Sequence, residues 1–170
     1  CGELRISRTV RVHRSWQQRY RGLRSVWMAD KSIKYFTVLE ANRTLPYVRP
    51  IVADIVASYK EWRDGVRRYE VLAAASGSEY GETEEQVQVR AEVEVVARQI
   101  NDYLDELSAV GCVFKGFDDG LVDFFCRFEG RDIFLCWKLG EPDVAHWHEL
   151  DAGFAGRQEL EPNLVKGEAD

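Results

Sequence analysis

Long apolar runs are missing from this chain of 170 residues. No stretch approaches the roughly 18 apolar residues that a membrane-spanning helix needs. Cysteine is scarce: Cys1, Cys112, Cys126 and Cys136 are the whole set, and none stands in C-x-x-C spacing. That spacing excludes a zinc ribbon and a dithiol redox pair, and leaves small buried hydrophobes in a reducing compartment. No Ser or Cys stands in a recognisable nucleophile setting, and Cys136, in the middle of an apparent strand, reads as an inert thiol. Methionine occurs once, at Met28.

What is present is an ordinary hydrophobic share of 45% with 31% charged residues, enough for one real core. The net charge of −6 conceals two unlike parts. Residues 1–27 carry seven Arg against the single acid Glu3, while the remainder carries 16 basic and 28 acidic residues. Met28-Ala29-Asp30-Lys31 reads like a bacterial start, so residues 1–27 are expected to be upstream sequence or an unstructured extension. A basic nucleic-acid arm or an Arg-rich targeting peptide is the rival reading. On composition the chain divides into a basic extension over 1–34, a body over 35–160 and an acidic tail over 161–170. The acidic field of the body disfavours nucleic acid and anionic membranes, and a cytoplasmic protein is expected.

The body opens with helices. Thr37 and Glu40 form a capping box, and Pro46 and Pro50 then suggest a short first helix followed by a kink or a restart. Leu45, Val48, Val52, Ile55, Tyr59, Trp62, Val66 and Tyr69 recur every 3.5 residues on average, the seam of a coiled coil. Residues 76–82 break the pattern with two glycines. Thr83 and Gln86 open a second helix whose seam runs Val89, Val93, Val96, Ile100, Tyr103, Leu107 and Val110 to a stop at Gly111. Two such helices on a short loop predict an antiparallel hairpin over 35–111.

Residues 112–160 read as a sheet. Segments 112–117, 121–128 and 132–138 are rich in Val, Ile, Phe and Trp and are separated by Asp119-Gly120 and Glu129-Gly130 turns. A two-residue turn at Glu129-Gly130 sets Arg127 opposite Asp132 and Phe125 opposite Phe134, with Cys126 and Cys136 on opposite faces. Residues 143–150 offer a fourth strand. The expected fold is α+β: a long antiparallel helical hairpin packed on a small, mostly antiparallel sheet of three to four strands.

Residues 136–158 concentrate the chemistry, with two Trp, two His, four acids and one Arg. His146-x-His148 on a strand places two imidazoles on one face, with Glu149, Asp151 and Asp123 available to complete a divalent-metal set. The plainer alternative is one His packing locally and the other facing solvent. Gly153-Phe154-Ala155-Gly156-Arg157 suits an anion held by backbone N–H groups and Arg157, or else an Arg157 ion pair with Glu141, Glu149 or Asp151 that pins the loop. Trp137 and Trp147 suit the walls of a pocket or, more ordinarily, the core. His148 with Glu149 or Asp123 would form an acid–base pair. At the hairpin tip, Glu79, Glu82, Glu84 and Glu85 suit a probe for a cationic or metal site, or simple complements to a helix dipole.

The residues Phe36-Thr37, Glu40-Ala41-Asn42, Leu45-Pro46 and Arg49-Pro50 resemble a bacterial family known as domain of unknown function 2203, as does Gly120-Leu121-Val122-Asp123-Phe124. Cys136-Trp137-x-Leu139-Gly140-Glu141, Trp147-His148 and Gly153-Phe154-x-Gly156-Arg157-Gln158 carry the likeness further, from about Phe36 to Leu160. The resemblance implies a small soluble bacterial protein and supports Met28 as the start; it brings no activity. The family usually has an aromatic residue where His146 stands, which favours His148 as the metal ligand, and Pro where Glu159 stands. The leading expectation is a noncatalytic interaction or adaptor protein, with a protein partner or a second copy engaged through the hairpin and no cofactor. A ligand- or divalent-metal-binding protein or small hydrolase built on Trp137, Glu141, Trp147, His148, Glu149 and Arg157 is the alternative. A third reading is an acidic-tipped coiled-coil factor acting on a larger enzyme.

Overall fold

The computed structural model describes residues 33–76 and 81–161. Most of the basic extension, Met28, Glu79 at the hairpin tip and the tail beyond Glu161 lie outside these residues. Helix α1 (Val38–Ser76) begins with reciprocal caps: the Thr37 backbone N–H donates to Glu40 Oε2 at 2.8 Å and the Glu40 N–H to Thr37 Oγ1 at 3.2 Å. Helix α2 (Glu84–Val110) repeats the device between Thr83 and Gln86. It ends at Gly111, whose φ of 100° turns its N–H back onto the Leu107 and Ser108 carbonyls.

Sequence predicts a kink or restart at the prolines, yet α1 runs on through Pro46 and Pro50. Each proline removes one helical N–H donor. The core-facing residues around them, Leu45, Val48, Ile51 and Val52, are all buried, so packing holds the helix across both positions.

The helices lie antiparallel, since Tyr47 near the start of α1 donates to Glu106 near the end of α2, while Arg68 reaches Glu85 at the other end. Midway, Gly65 leaves no room for a β-carbon, which would stand 2.7 Å from Val93 Cγ2.

Five antiparallel strands follow in chain order: β1 (Val113–Gly116), β2 (Leu121–Phe128), β3 (Arg131–Lys138), β4 (His146–Glu149) and β5 (Gln158–Glu159). The sheet thus exceeds the expected three to four strands. Gln158 and Glu159 pair with Trp147 and His146, but two residues carry no readable alternation. The β2–β3 turn is the expected two-residue type, with Glu129 and Gly130 both at positive φ (50° and 76°). Arg127 faces Asp132 and Phe125 faces Phe134 in consequence.

That register sorts the sheet into two faces. Val122, Phe124, Cys126, Ile133, Leu135, Trp137 and Trp147 join Val38, Ala41, Leu45, Val48 and Ile55 of α1 in one core cluster. Each buried Val, Leu, Ile or Phe among them contributes about 1.5–3 kcal/mol by leaving water. The alternate residues Asp123, Phe125, Phe134, Cys136, His146 and His148 point away from the helices. The segment after Pro142 widens the sheet as β4 and β5.

A buried polar cluster on the outer face of the sheet

Three strands each contribute one donor to a single point. Asp123 on β2 and Cys136 on β3 are register partners, and His148 on the next strand points to the same face. One carboxylate oxygen, the thiol sulfur and one ring nitrogen all lie within 4.8 Å of one another. Burial is close to complete, with 2% exposure for Asp123 and His148 and 1% for Cys136.

Both ring nitrogens of His148 are engaged. Nδ1 lies 2.8 Å from the Glu149 carbonyl, which only accepts, so Nδ1 carries a proton and donates. Nε2 faces Asp123 Oδ1 at 3.3 Å. The hydrogen bond to Asp123 raises the pKa of His148 against burial, which lowers it. Burial, reinforced by neighbouring Asp123, pushes the Cys136 thiol up to about 12. The second carboxylate oxygen, Asp123 Oδ2, faces Lys115 Nζ at 3.8 Å, and the same ammonium stands 4.7 Å from the centre of the Phe134 ring. Phe134 in turn packs at a tilt against the His148 ring, with centroids 5.5 Å apart and 53° between the ring planes.

A second polar group adjoins the first. Arg157 Nη2 donates to Glu141 Oε2 at 2.7 Å, to His146 Nδ1 at 3.1 Å and to the Cys136 carbonyl at 3.4 Å. A guanidinium is always protonated, so His146 Nδ1 is the acceptor and its ring proton sits on Nε2. Burial works to raise the pKa of Glu141, but Arg157 and the Lys138 backbone N–H outweigh it and hold the carboxyl low. Arg157 Nε is buried without a hydrogen-bond partner.

The other sequence candidates lie elsewhere. Trp137 belongs to the helix-side core and donates from Nε1 to the Glu141 carbonyl at 3.0 Å. Trp147 also faces the helices, and its Nε1 is buried without an acceptor. Glu149 occupies the face opposite to His148 and pairs with Arg131 at the surface, while Asp151 is exposed in the turn beyond β4. The structure therefore groups His148 with Asp123 and Cys136 rather than with Glu149 and Asp151. His146 shares their face but is engaged by Arg157. Sequence reasoning set Cys136 aside as an inert thiol, although the two-residue turn already implied its position: pairing Arg127 with Asp132 forces Asp123 opposite Cys136.

At the hairpin tip, Glu82 is held by Tyr69 and Arg90, and Glu85 by Arg68. Among the described residues no helix is long and apolar enough to cross a membrane.

Residues 34–160 match the model of a family described as "uncharacterized conserved protein (DUF2203)". Neither the curated proteins nor the solved structures yield a match. The family match spans most of the chain, and on that ground the chain belongs to the DUF2203 family.

Proposed function

We propose that this protein binds a divalent transition-metal ion through Asp123, Cys136 and His148. The observation that carries the reading is the orientation of the His148 ring, fixed from its remote nitrogen. A metal-ligating imidazole characteristically donates its remote N–H to a carbonyl or carboxylate, and the Nδ1–H to Glu149 bond leaves Nε2 turned toward the cluster. Bonds of about 2.0–2.3 Å to a tetrahedral ion set neighbouring donors roughly 3.3–3.8 Å apart. The 3.3 Å between His148 Nε2 and Asp123 Oδ1 already meets that spacing.

The donor set selects the ion. A thiolate, an imidazole and a carboxylate favour zinc or a similar borderline ion over calcium or magnesium, which prefer oxygen alone. To bind, Cys136 gives up a proton that burial otherwise holds firmly, so the ion must supply the charge that the site lacks. Near-complete burial of all three donors leaves a substrate little access to the ion, which favours a metal-holding role over turnover. That agrees with a noncatalytic protein, and this reading replaces Glu149 and Asp151 as ligands with Asp123 and Cys136.

The test is metal analysis of protein purified from cells without chelator, followed by zinc titration of wild type and of Cys136→Ser, Asp123→Asn and His148→Gln. One ion per chain, lost or weakened in every variant, is the expected result. Protein that arrives free of metal and gives no isotherm rules the site out.

A further inference from the structure

Lys115 is placed as a built-in rival to the ion. Its ammonium faces Asp123 Oδ2 at 3.8 Å while Asp123 Oδ1 is occupied by His148, so both carboxylate oxygens are already engaged by cationic or N–H groups. Asp123 is almost wholly buried, whereas the Lys115 side chain is 41% exposed. Lys115 is therefore the group of this network that touches both the cluster and water. Its charge stands over the Phe134 ring, so the ammonium is held at that position by the ring as well as by the carboxylate.

We propose, resting on the metal-binding reading above, that Lys115 occupies the cation position of the metal-free site and is displaced when the ion arrives. Charge accounts for the exchange. Without metal, the Asp123 carboxylate faces the Lys115 ammonium and accepts from the His148 Nε2–H; binding would release that proton and the Cys136 thiol proton to water. With a divalent ion, Asp123 and a Cys136 thiolate together supply two negative charges, which the ion itself cancels. An ammonium left 3.8 Å from a carboxylate that also holds the ion would be surplus positive charge. Lys115 has somewhere to go, because its outer half already borders solvent and lysine is readily hydrated. The exchange makes Lys115 a determinant of affinity: every ion bound must first overcome the attraction between Lys115 and Asp123.

Lys115→Met is the informative variant, since the unbranched apolar side chain keeps contact with Phe134 and removes only the charge. Lys138→Met is its control. Lys138 lies on the same face and its loss changes net charge equally, but its ammonium pairs with Asp119 at 3.0 Å and not with Asp123. Zinc titration calorimetry on the full chain, with urea midpoints to verify folding, should give Lys115→Met at least about tenfold tighter binding than wild type, with Lys138→Met within about threefold. Cobalt substitution should give the same thiolate-to-metal absorption band in wild type and Lys115→Met, showing an unchanged donor set. Equal or weaker zinc binding by folded Lys115→Met overturns the displacement while leaving the metal site standing, as does an equal gain in both lysine variants. Absence of zinc binding in all three proteins overturns the metal site and the displacement together.

Discussion

His148 and Asp123, on strands that are not neighbours, meet across the Cys136 position with 3.3 Å between Nε2 and Oδ1, and each is sealed from water. Removing one member of such a pair strands the other. Asp123→Val in chelator-treated protein should therefore cost on the order of 3 kcal/mol in urea unfolding. His148→Phe added to it should restore most of that loss, because the new ring packs on Phe134 and no buried polar group remains unpaired. A double variant as unstable as the single one contradicts the pairing.

Two turn glycines should separate conformational strain from crowding. Gly120 has φ of 63°, and a β-carbon there would meet Leu139 Cβ at 2.7 Å and Val52 Cγ1 at 2.8 Å. Gly130 has φ of 76° with nothing within 4 Å. Gly130→Ala should cost about 1 kcal/mol, the left-handed penalty alone. Gly120→Ala adds overpacking beneath α1 and should cost about 2–4 kcal/mol. Similar melting temperatures for the two variants would refute the close approach at Gly120.

Acid should weaken the loop that Arg157 anchors. The folded-state pKa of Glu141 lies below its ordinary 4.5, so its contribution is present above that value and is lost as pH falls through the lower, folded value. Wild type should thus be more stable than Glu141→Gln at pH 7, and the gap between their urea midpoints should close as pH drops below about 4.5. A gap constant from pH 7 to 3 removes the charge from the explanation.

Thiol chemistry should follow burial. Cys112 and Cys136 are pushed up to about 12 and Cys126 to about 11, each chiefly by burial. At pH 8 all three should resist iodoacetamide in the folded protein and react once urea unfolds it, with peptide mass spectrometry assigning each site. Rapid native labelling of Cys136 would mean that the cluster is open.

Local signals were the legible ones. Both capping boxes, the Gly111 stop and the Glu129-Gly130 register follow from neighbouring residues, and the structure repeats them. The helix through Pro46 and Pro50 was not legible, since what overrides the prolines is burial against strands some 70 positions later. Of the partners of His148, Asp123 was among the expected ones, 25 residues away, and Cys136 was not. Spacing shows that His146 and His148 share a face, but only the assembled core decides that Trp147, between them, takes the helix side. Glu149 is carried to that side with Trp147, away from the cluster.

The meander gives the cluster one more property. Its donors come from three successive strands, and sliding any of these strands by a single position would turn a donor over to the greasy side beneath α1. An ion gripped by all three would therefore reward only the correctly threaded sheet, and its donors would also proofread the alignment of the chain as it folds.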